Sequence, residues 1–213
     1  MHKILKIFLG IFAICYACLQ LNYYLFDIST RCLDPEANPD LLAKEKIYSK
    51  GIYLVSYAHG NEVFFQNQNA LAQSALNRGI DFTFNYRKSH IDKDFYEKNK
   101  AILDEKAGAG YWLWKPYLIL KTLQRIPDGA IVMYADSSII IRQPPMQYLN
   151  KQFTPGKDIV AFAYNPKQHG IAATIASRDT FAALNCADTS CRQAQHVWAG
   201  ILVLRNSEQS RAF

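Results

Sequence analysis

The chain has 213 residues, of which 50% are hydrophobic and 20% charged, and its formal net charge is +6. This length and composition predict one globular domain with an apolar core and exclude a chain too polar to fold. The positive charge is dispersed, with no Lys/Arg block and no nucleic-acid-binding motif, which indicates a solvated surface and no nucleic-acid partner.

Residues 1–26 have the features of a membrane signal-anchor. Residues 7–26 contain no charged side chain, and about twenty apolar residues match the length of a membrane-spanning helix. Lys3 and Lys6 before this stretch and Asp27 after it favour a single-pass anchor whose domain lies on the non-cytoplasmic side. A cleaved signal peptide, a lipid anchor and a buried helix are the alternatives.

The next segment, residues 27–50, is predicted to be a stem. It contains the turn-rich, polar stretch 34–40, which suits a linker between a membrane and a domain.

Residues 51–213 predict an α/β domain, because apolar runs of strand length alternate with helical patterns. Gly79 is a stop signal for the first helix, and a flexible lead at 107–110 precedes the central helix. The predicted strands are 51–57, 80–86, 130–135, 139–141, 158–164, 171–175 and 197–204, and the predicted helices are 62–78, 92–106, a helix beginning at 115, 178–184 and a last helix capped by 206–207.

The stretch from Gly110 to Arg142 is the most informative part of the domain. Lys115-Pro116 marks a helix start, and the turn at 127–129 leads into the continuous apolar strand 130–135. Asp136 follows this strand directly, where open α/β sheets place their ligands. The alternative is a turn-forming aspartate that caps the next segment.

This stretch also resembles a known family. GYWLWKPYLILKTL, a Pro-Asp-Gly turn and an apolar strand ending in Tyr-x-Asp-Ser are similar to a group of bacterial-type glycosyltransferases. The resemblance covers about residues 51–213. It implies the GT-A fold of nucleotide-sugar transferases, a Rossmann-type layered domain with a mostly parallel central sheet. The implied activity is transfer of a sugar, as in hexosyltransferases, from a nucleoside diphosphate sugar to a glycan or lipid-linked acceptor.

The resemblance implies a role for Asp136 at the donor diphosphate. GT-A enzymes generally hold a divalent cation, Mn²⁺ or Mg²⁺, with an Asp-x-Asp motif, and hard cations prefer such oxygen ligands. Here the motif is Asp136-Ser137-Ser138. The second carboxylate is missing, and the Ser138 hydroxyl is a much weaker ligand, so metal binding is doubtful.

Four residues at the start of the central helix or just before it are further donor-side candidates. Lys115 stands at a helix start, where a cation and backbone N–H groups suit a phosphate. Tyr111, Trp112 and Trp114 supply rings for a base or a sugar. The alternatives are a snorkelling surface lysine and aromatic side chains that only pack in the core.

The remaining candidates flank the first and last strands. Ser56, Tyr57 and His59 end the first strand, where GT-A enzymes hold the nucleotide base, and His59 could also act as an acid or base. His196 and Trp198 precede or begin the last strand and are candidates for the acceptor side. The alternative for His59 is a loop histidine without a role in binding, and the alternative for His196 is a structural role.

The sequence also allows other functions and other states of the domain. A catalytically inactive nucleotide-sugar-binding or scaffold protein and a metal-dependent phosphate-ester hydrolase are the rival functions, and the hydrolase lacks a second carboxylate. Many GT-A enzymes place a further ligand or acid beyond this length, so a C-terminally truncated domain is expected as an alternative to a complete one. Cys186 and Cys191 are close enough in sequence for a disulfide or remain two thiols.

Overall fold

The structure is a computed structural model that describes residues 31–33, 51–165, 167, 170–174, 176–186 and 188–212. The predicted anchor at 1–26 and most of the predicted stem lie outside these residues. Among the described residues, no helix has both the length and the apolar character needed to cross a membrane.

A mixed β-sheet with helices on both faces forms the domain, which confirms the predicted α/β class. The strand order is β1-β3-β2-β4-β6-β5, with β1–β3, β3–β2 and β2–β4 parallel and β4–β6 and β6–β5 antiparallel. The strands are β1 (Arg31–Leu33), β2 (Ile52–Tyr57), β3 (Phe82–Tyr86), β4 (Ile131–Ala135), β5 (Ile159–Ala163) and β6 (Val197–Arg205). The short β1 lies within the segment predicted as a stem and extends the five-stranded sheet at one edge.

The helices are α1 (Glu62–Ala75), α2 (Lys93–Lys98), α3 (Lys100–Leu103), α4 (Gly108–Tyr111), α5 (Trp114–Leu123), α6 (Met146–Leu149), α7 (Arg178–Ala183), α8 (Thr189–Gln193) and α9 (Glu208–Ala212), with 3₁₀ turns at Lys88–His90 and Ala172–Thr174. The predicted helix at 92–106 is therefore two shorter helices, α2 and α3. The central helix α5 begins one residue before Lys115.

Side-chain alternation along the buried strands divides the core into two layers. In β2, Tyr53 and Val55 join the cluster that contains Leu118 and other α5 residues, whereas Ile52 and Leu54 join the cluster on the α1 face. Successive side chains of a strand point to opposite faces, so a continuous apolar run serves both layers. The sheet is thereby fixed between α1 and α5, and its loops are left for the site.

Two predicted strands are wrong. Residues 139–141 form no strand, because the Ile141 N–H donates to Ser74 Oγ at 2.9 Å and Ile140 is exposed. The segment predicted at 171–175 contains a 3₁₀ turn over Ala172–Thr174, with a single bridge from Ile171 to Gln195. Both segments are apolar enough for strands, but neither is a strand of the sheet.

Cys186 and Cys191 form a disulfide, with their Cα atoms 5.9 Å apart. The bond joins the segment after α7 to α8, and the Asp188 side chain caps α8 by accepting a hydrogen bond from the Cys191 N–H. Of the two sequence alternatives, the structure therefore has the bonded pair.

Candidate functional site

A cleft of about 510 Å³ opens where β2 and β4 end. Because β2, β3 and β4 are parallel, their carboxyl ends meet at one edge of the sheet, and ligands of open α/β sheets bind at that edge. Its walls come from the loops after these strands, the start of α1, and the segment from the end of α3 to the start of α5. The lining residues are Tyr57, His59, Gly60, Phe64, Asn67, Lys88, Leu103, Asp104, Glu105, Lys106, Gly108, Ala109, Trp112, Trp114, Tyr134, Asp136, Ser137 and Ser138.

A stacked aromatic pair forms one wall of the cleft. The rings of Tyr57, the last residue of β2, and Trp114, the first residue of α5, lie 4.0 Å apart at 21°. The Trp114 indole N–H donates to the Gly108 carbonyl at 3.0 Å, which fixes the ring. Burial raises the pKa of Tyr57 to about 12, so its hydroxyl stays protonated at neutral pH.

The short element α4 and the residue after it, Trp112, form a left-handed turn rather than a regular helix. Gly108, Ala109, Gly110, Tyr111 and Trp112 all have positive φ, between 49° and 98°. For residues other than glycine this conformation costs roughly 1–2 kcal/mol each, and such strain is concentrated at functional sites. The turn leaves the Trp112 ring 55% exposed and places it at the cleft.

Gly108 is required for this arrangement. A Cβ atom at Gly108 would lie 2.5 Å from Cδ2 of Trp112, and the glycine itself has a φ of +57°. The Trp112 ring therefore occupies the space that any side chain at position 108 would need.

Asp136 lines the cleft just beyond β4. Its backbone N–H donates to the Gly200 carbonyl at 2.9 Å, which ties the end of β4 to β6. Tyr134 lies two residues earlier on the same face of the strand, and its hydroxyl donates to Oδ1 of Asp136. Burial, and next the negative charge of Asp136, raise the pKa of Tyr134 above its usual value. The phenol therefore remains a hydrogen-bond donor.

Lys115 is a second partner of Asp136. Its Nζ lies 3.1 Å from Oδ1 of Asp136 and 2.9 Å from the Ala199 carbonyl oxygen. The residue is only 8% exposed, and its ammonium also lies 4.7 Å from the centre of the Tyr134 ring. Lys115 is thus a buried cation behind the carboxylate, neither a surface side chain nor a wall of the cleft.

Charged side chains line the opposite side of the cleft. Lys88 Nζ lies 2.9 Å from Oδ1 of Asp104. Hydrogen bonds from Tyr96 and Lys88 keep the pKa of Asp104 below its usual value. Partial burial and the nearby charge of Lys88 lower the pKa of His59, so its imidazole is neutral at pH 7.

The acceptor-side candidates are neighbours of each other but are not part of this cleft. The His196 ring stacks on Tyr164 at 5.0 Å, and Trp198 lies 6.4 Å from the same tyrosine. Because β6 runs antiparallel to β4, its first residues lie at the same sheet edge as Asp136. The two residues therefore border this edge beyond the carboxylate.

The structure brings together six of the predicted donor-side residues: Tyr57, His59, Trp112, Trp114, Asp136 and Ser138. It does not bring Ser56 or Tyr111 to the cleft. Ser56 is buried and its Oγ accepts a hydrogen bond from Gln68 at 3.0 Å. Tyr111 is 59% exposed and lies outside the lining.

Sequence reasoning missed several lining residues. Tyr134 stands two residues before Asp136, a spacing that places both side chains on one face of a strand. The sequence therefore contained the information needed to predict this contact. Phe64 and Asn67 are three residues apart at the start of α1 and share a helix face. Glu105 and Lys106 lie in a loop, and nothing in their pattern indicates a site.

The cleft does not provide a convincing set of metal ligands. Among the residues described, no cluster of three His, Cys, Asp or Glu side chains could hold an ion. Asp136 already accepts from Lys115 and Tyr134 on one oxygen, and Ser138 stands where an Asp-x-Asp motif has its second carboxylate. While Lys115 and Tyr134 hold Oδ1 of Asp136, this carboxylate and the two serine hydroxyls are a poor ligand set for a divalent cation, and the other acidic lining residues, Asp104 and Glu105, do not complete a cluster of three with it.

No protein-family model, no curated protein and no solved structure matches this chain.

Proposed function

We propose that this protein is a glycosyltransferase with a GT-A-like domain, anchored in a membrane by residues 1–26 with the domain on the non-cytoplasmic side. It moves a sugar from a nucleoside diphosphate sugar to a glycan or lipid-linked acceptor. The observation that carries the proposal is Asp136, a half-exposed carboxylate at the carboxyl end of the central parallel strand β4, in a cleft walled by aromatic rings. We expect no nucleic-acid partner, because the positive charge is dispersed and the sequence has no nucleic-acid-binding motif.

The aromatic side chains suit the flat parts of such a donor. Trp112 presents an exposed ring on which a base or a sugar can stack, and Tyr57 with Trp114 forms a rigid wall. Asn67 adds an amide and Asp136 a carboxylate for ring hydroxyl groups. Stacking rings combined with a few polar side chains is the usual composition of a pocket for an amphipathic ligand.

The transfer step needs little covalent chemistry from the protein. The acceptor oxygen forms a bond to the anomeric carbon, the bond from that carbon to the diphosphate oxygen breaks, and the acceptor hydroxyl loses its proton. The neutral His59 imidazole at the cleft can accept that proton, and Lys106 at the rim offers a positive charge to the leaving diphosphate. Positioning and charge stabilisation supply the rest of the rate enhancement.

A non-catalytic nucleotide-sugar-binding protein is the second candidate. It is favoured by the engagement of one Asp136 oxygen with Lys115 and Tyr134, which leaves a single carboxylate oxygen for chemistry. The phosphate-ester hydrolase is less supported, because Ser138 stands where a second carboxylate would be needed beside Asp136, and Asp104, another acidic lining residue, is paired with Lys88.

One assay separates the three functions. The full-length protein is incubated with a panel of nucleoside diphosphate sugars and simple phosphate esters, with and without Mn²⁺. Sugar transfer with release of nucleoside diphosphate supports the proposal, saturable binding without turnover supports the binding protein, and phosphate release from simple esters supports the hydrolase. Absence of all three overturns the assignment of the cleft to nucleotide sugars.

A further inference from the structure

Lys115 is held in one orientation by contacts from three directions. Its Nζ donates to Oδ1 of Asp136 and to the Ala199 carbonyl, and the face of the Tyr134 ring lies beneath it. Trp114 contributes a second ring at 5.7 Å. A buried Lys115 side chain with two acceptors and two aromatic faces around its Nζ is fixed in place rather than mobile at the surface.

The two oxygens of Asp136 are used differently. Oδ1 receives both Lys115 and Tyr134. Oδ2 has no hydrogen-bond partner among the residues that the structure describes, and the side chain is 40% exposed at the cleft. The carboxylate is therefore oriented through one oxygen and presents the other to a ligand.

We infer that Lys115 is a positioning residue that occupies the place of a divalent cation beside Asp136, so that the cleft binds its ligands without a metal ion. The role left for Oδ2 is to accept a hydrogen bond from a ligand hydroxyl group, such as a sugar hydroxyl. This last step rests on the proposed function, whereas the exclusion of the metal does not.

Two features of the structure support this exclusion. A divalent cation on Oδ2 would stand beside the fixed ammonium on Oδ1, and two like charges at this separation in a partly buried site repel each other strongly. If the cation instead displaced the Lys115 ammonium from its position, both the ammonium and the Ala199 carbonyl would lose their hydrogen bond. The serines that follow Asp136 cannot compensate, because hydroxyl groups are weak ligands for hard cations.

Manganese binding to the full-length protein tests the inference without any nucleotide. Free Mn²⁺ is measured by electron paramagnetic resonance during titration of wild type, Asp136→Asn and Lys115→Met. We expect no Asp136-dependent binding in wild type below about 1 mM, and at least about tenfold tighter binding in Lys115→Met that disappears when Asp136→Asn is added. Lys115→Arg is the matched control, because it keeps the charge and should exclude the ion as wild type does.

Two results would overturn the inference. One is Mn²⁺ binding by wild type that Asp136→Asn removes, and the other is a Lys115→Met protein that folds and still binds no ion. If Lys115→Met does not fold, Lys115→Gln takes its place, since its amide can still donate to the Ala199 carbonyl.

A parallel titration with nucleoside diphosphate sugars in EDTA and in Mn²⁺ separates this inference from the proposed function. Equal affinity in both conditions supports it, and affinity that requires Mn²⁺ overturns it. If no nucleotide sugar binds in either condition, the proposed function fails while the manganese titration still decides the role of Lys115.

Discussion

Asp128 and Asp136 stand at opposite ends of the same strand, β4. Asp128 lies in the turn before the strand, is 80% exposed and pairs with Arg211, whereas Asp136 lies at the cleft. The two aspartates therefore provide a matched comparison between a surface ion pair and the candidate site.

We expect Asp136→Asn to lower the transfer rate at least about 100-fold, because the charge and the free acceptor at the cleft are lost. Asp128→Asn should change it by less than about twofold, since an exposed pair contributes little. Initial rates with the nucleotide sugar used by wild type measure both, and circular dichroism checks the fold. Undiminished transfer by Asp136→Asn would remove this residue from the site.

The ion pair between Lys115 and Asp136 should appear as a coupling free energy. Lys115→Met, Asp136→Asn and the double variant form a double-mutant cycle in urea unfolding. We expect a coupling of about 1 kcal/mol, reduced from the value of a fully buried pair because Asp136 is 40% exposed. Strictly additive effects would mean that the contact at 3.1 Å does not stabilise the fold.

Gly108→Ala and Gly79→Ala test the left-handed turn against a matched glycine. Both glycines have positive φ, +57° and +71°, but a Cβ at Gly79 meets nothing within 4 Å, whereas one at Gly108 meets the Trp112 ring. Both variants should lose about 1 kcal/mol of stability from the backbone alone. Only Gly108→Ala should also weaken ligand binding, by about tenfold, because the exposed Trp112 ring must move away. Equal affinities would show that Trp112 does not contact the ligand.

Burial of Tyr57 predicts a loss of stability at alkaline pH. Its pKa is raised from 10.0 to about 12 in the folded protein, so the folded state retains a proton that the unfolded state releases first. The contribution is present below pH 10 and disappears as the pH rises through 12, and it amounts to roughly 2–3 kcal/mol.

Tyr57→Phe is the control for this effect, because it keeps the stack on Trp114 without the hydroxyl. Between pH 9 and 12 the unfolding free energy of wild type should fall by roughly 2–3 kcal/mol more than that of the variant, and taking the difference removes the contribution of other tyrosines. Parallel curves would contradict the prediction.

If His59 is the general base, the transfer rate should fall only in acid. The pKa of His59 is lowered from its usual 6.5, so the imidazole is neutral at pH 7. The rate should therefore decline only as the pH falls through this lowered pKa. His59→Gln should lower the plateau by about 10- to 100-fold and remove this decline. A variant with an unchanged pH profile would exclude the role.

Local patterns along the chain predicted the sheet well. The continuous apolar run before Asp136 became β4, and the alternating apolar residues before Arg87 became β3. Such runs are decisive because a strand buried on both faces needs apolar residues throughout. The run at 139–141 satisfied the same pattern but forms no strand, and its Ile141 N–H donates to Ser74 Oγ on α1, a contact that depends on the tertiary structure.

The site was only partly predictable for a related reason. Asp136, Trp112 and Trp114 follow from their positions relative to β4 and α5, which local pattern defines. The burial of Lys115 does not follow, because it depends on the antiparallel strand β6 and its Ala199 carbonyl, which are distant in sequence. The left-handed turn was equally unpredictable, since Ala109, Tyr111 and Trp112 are residue types that rarely adopt it.

Because β6 runs antiparallel to β5, the segment between these two strands begins and ends at one place on the sheet. Ala163 at the end of β5 pairs with Val197 at the start of β6, so this segment leaves and returns to the sheet at neighbouring points on the cleft side. A change of length or sequence in this segment therefore leaves the pairing of β4 with β2 and β6, which positions Asp136, unchanged.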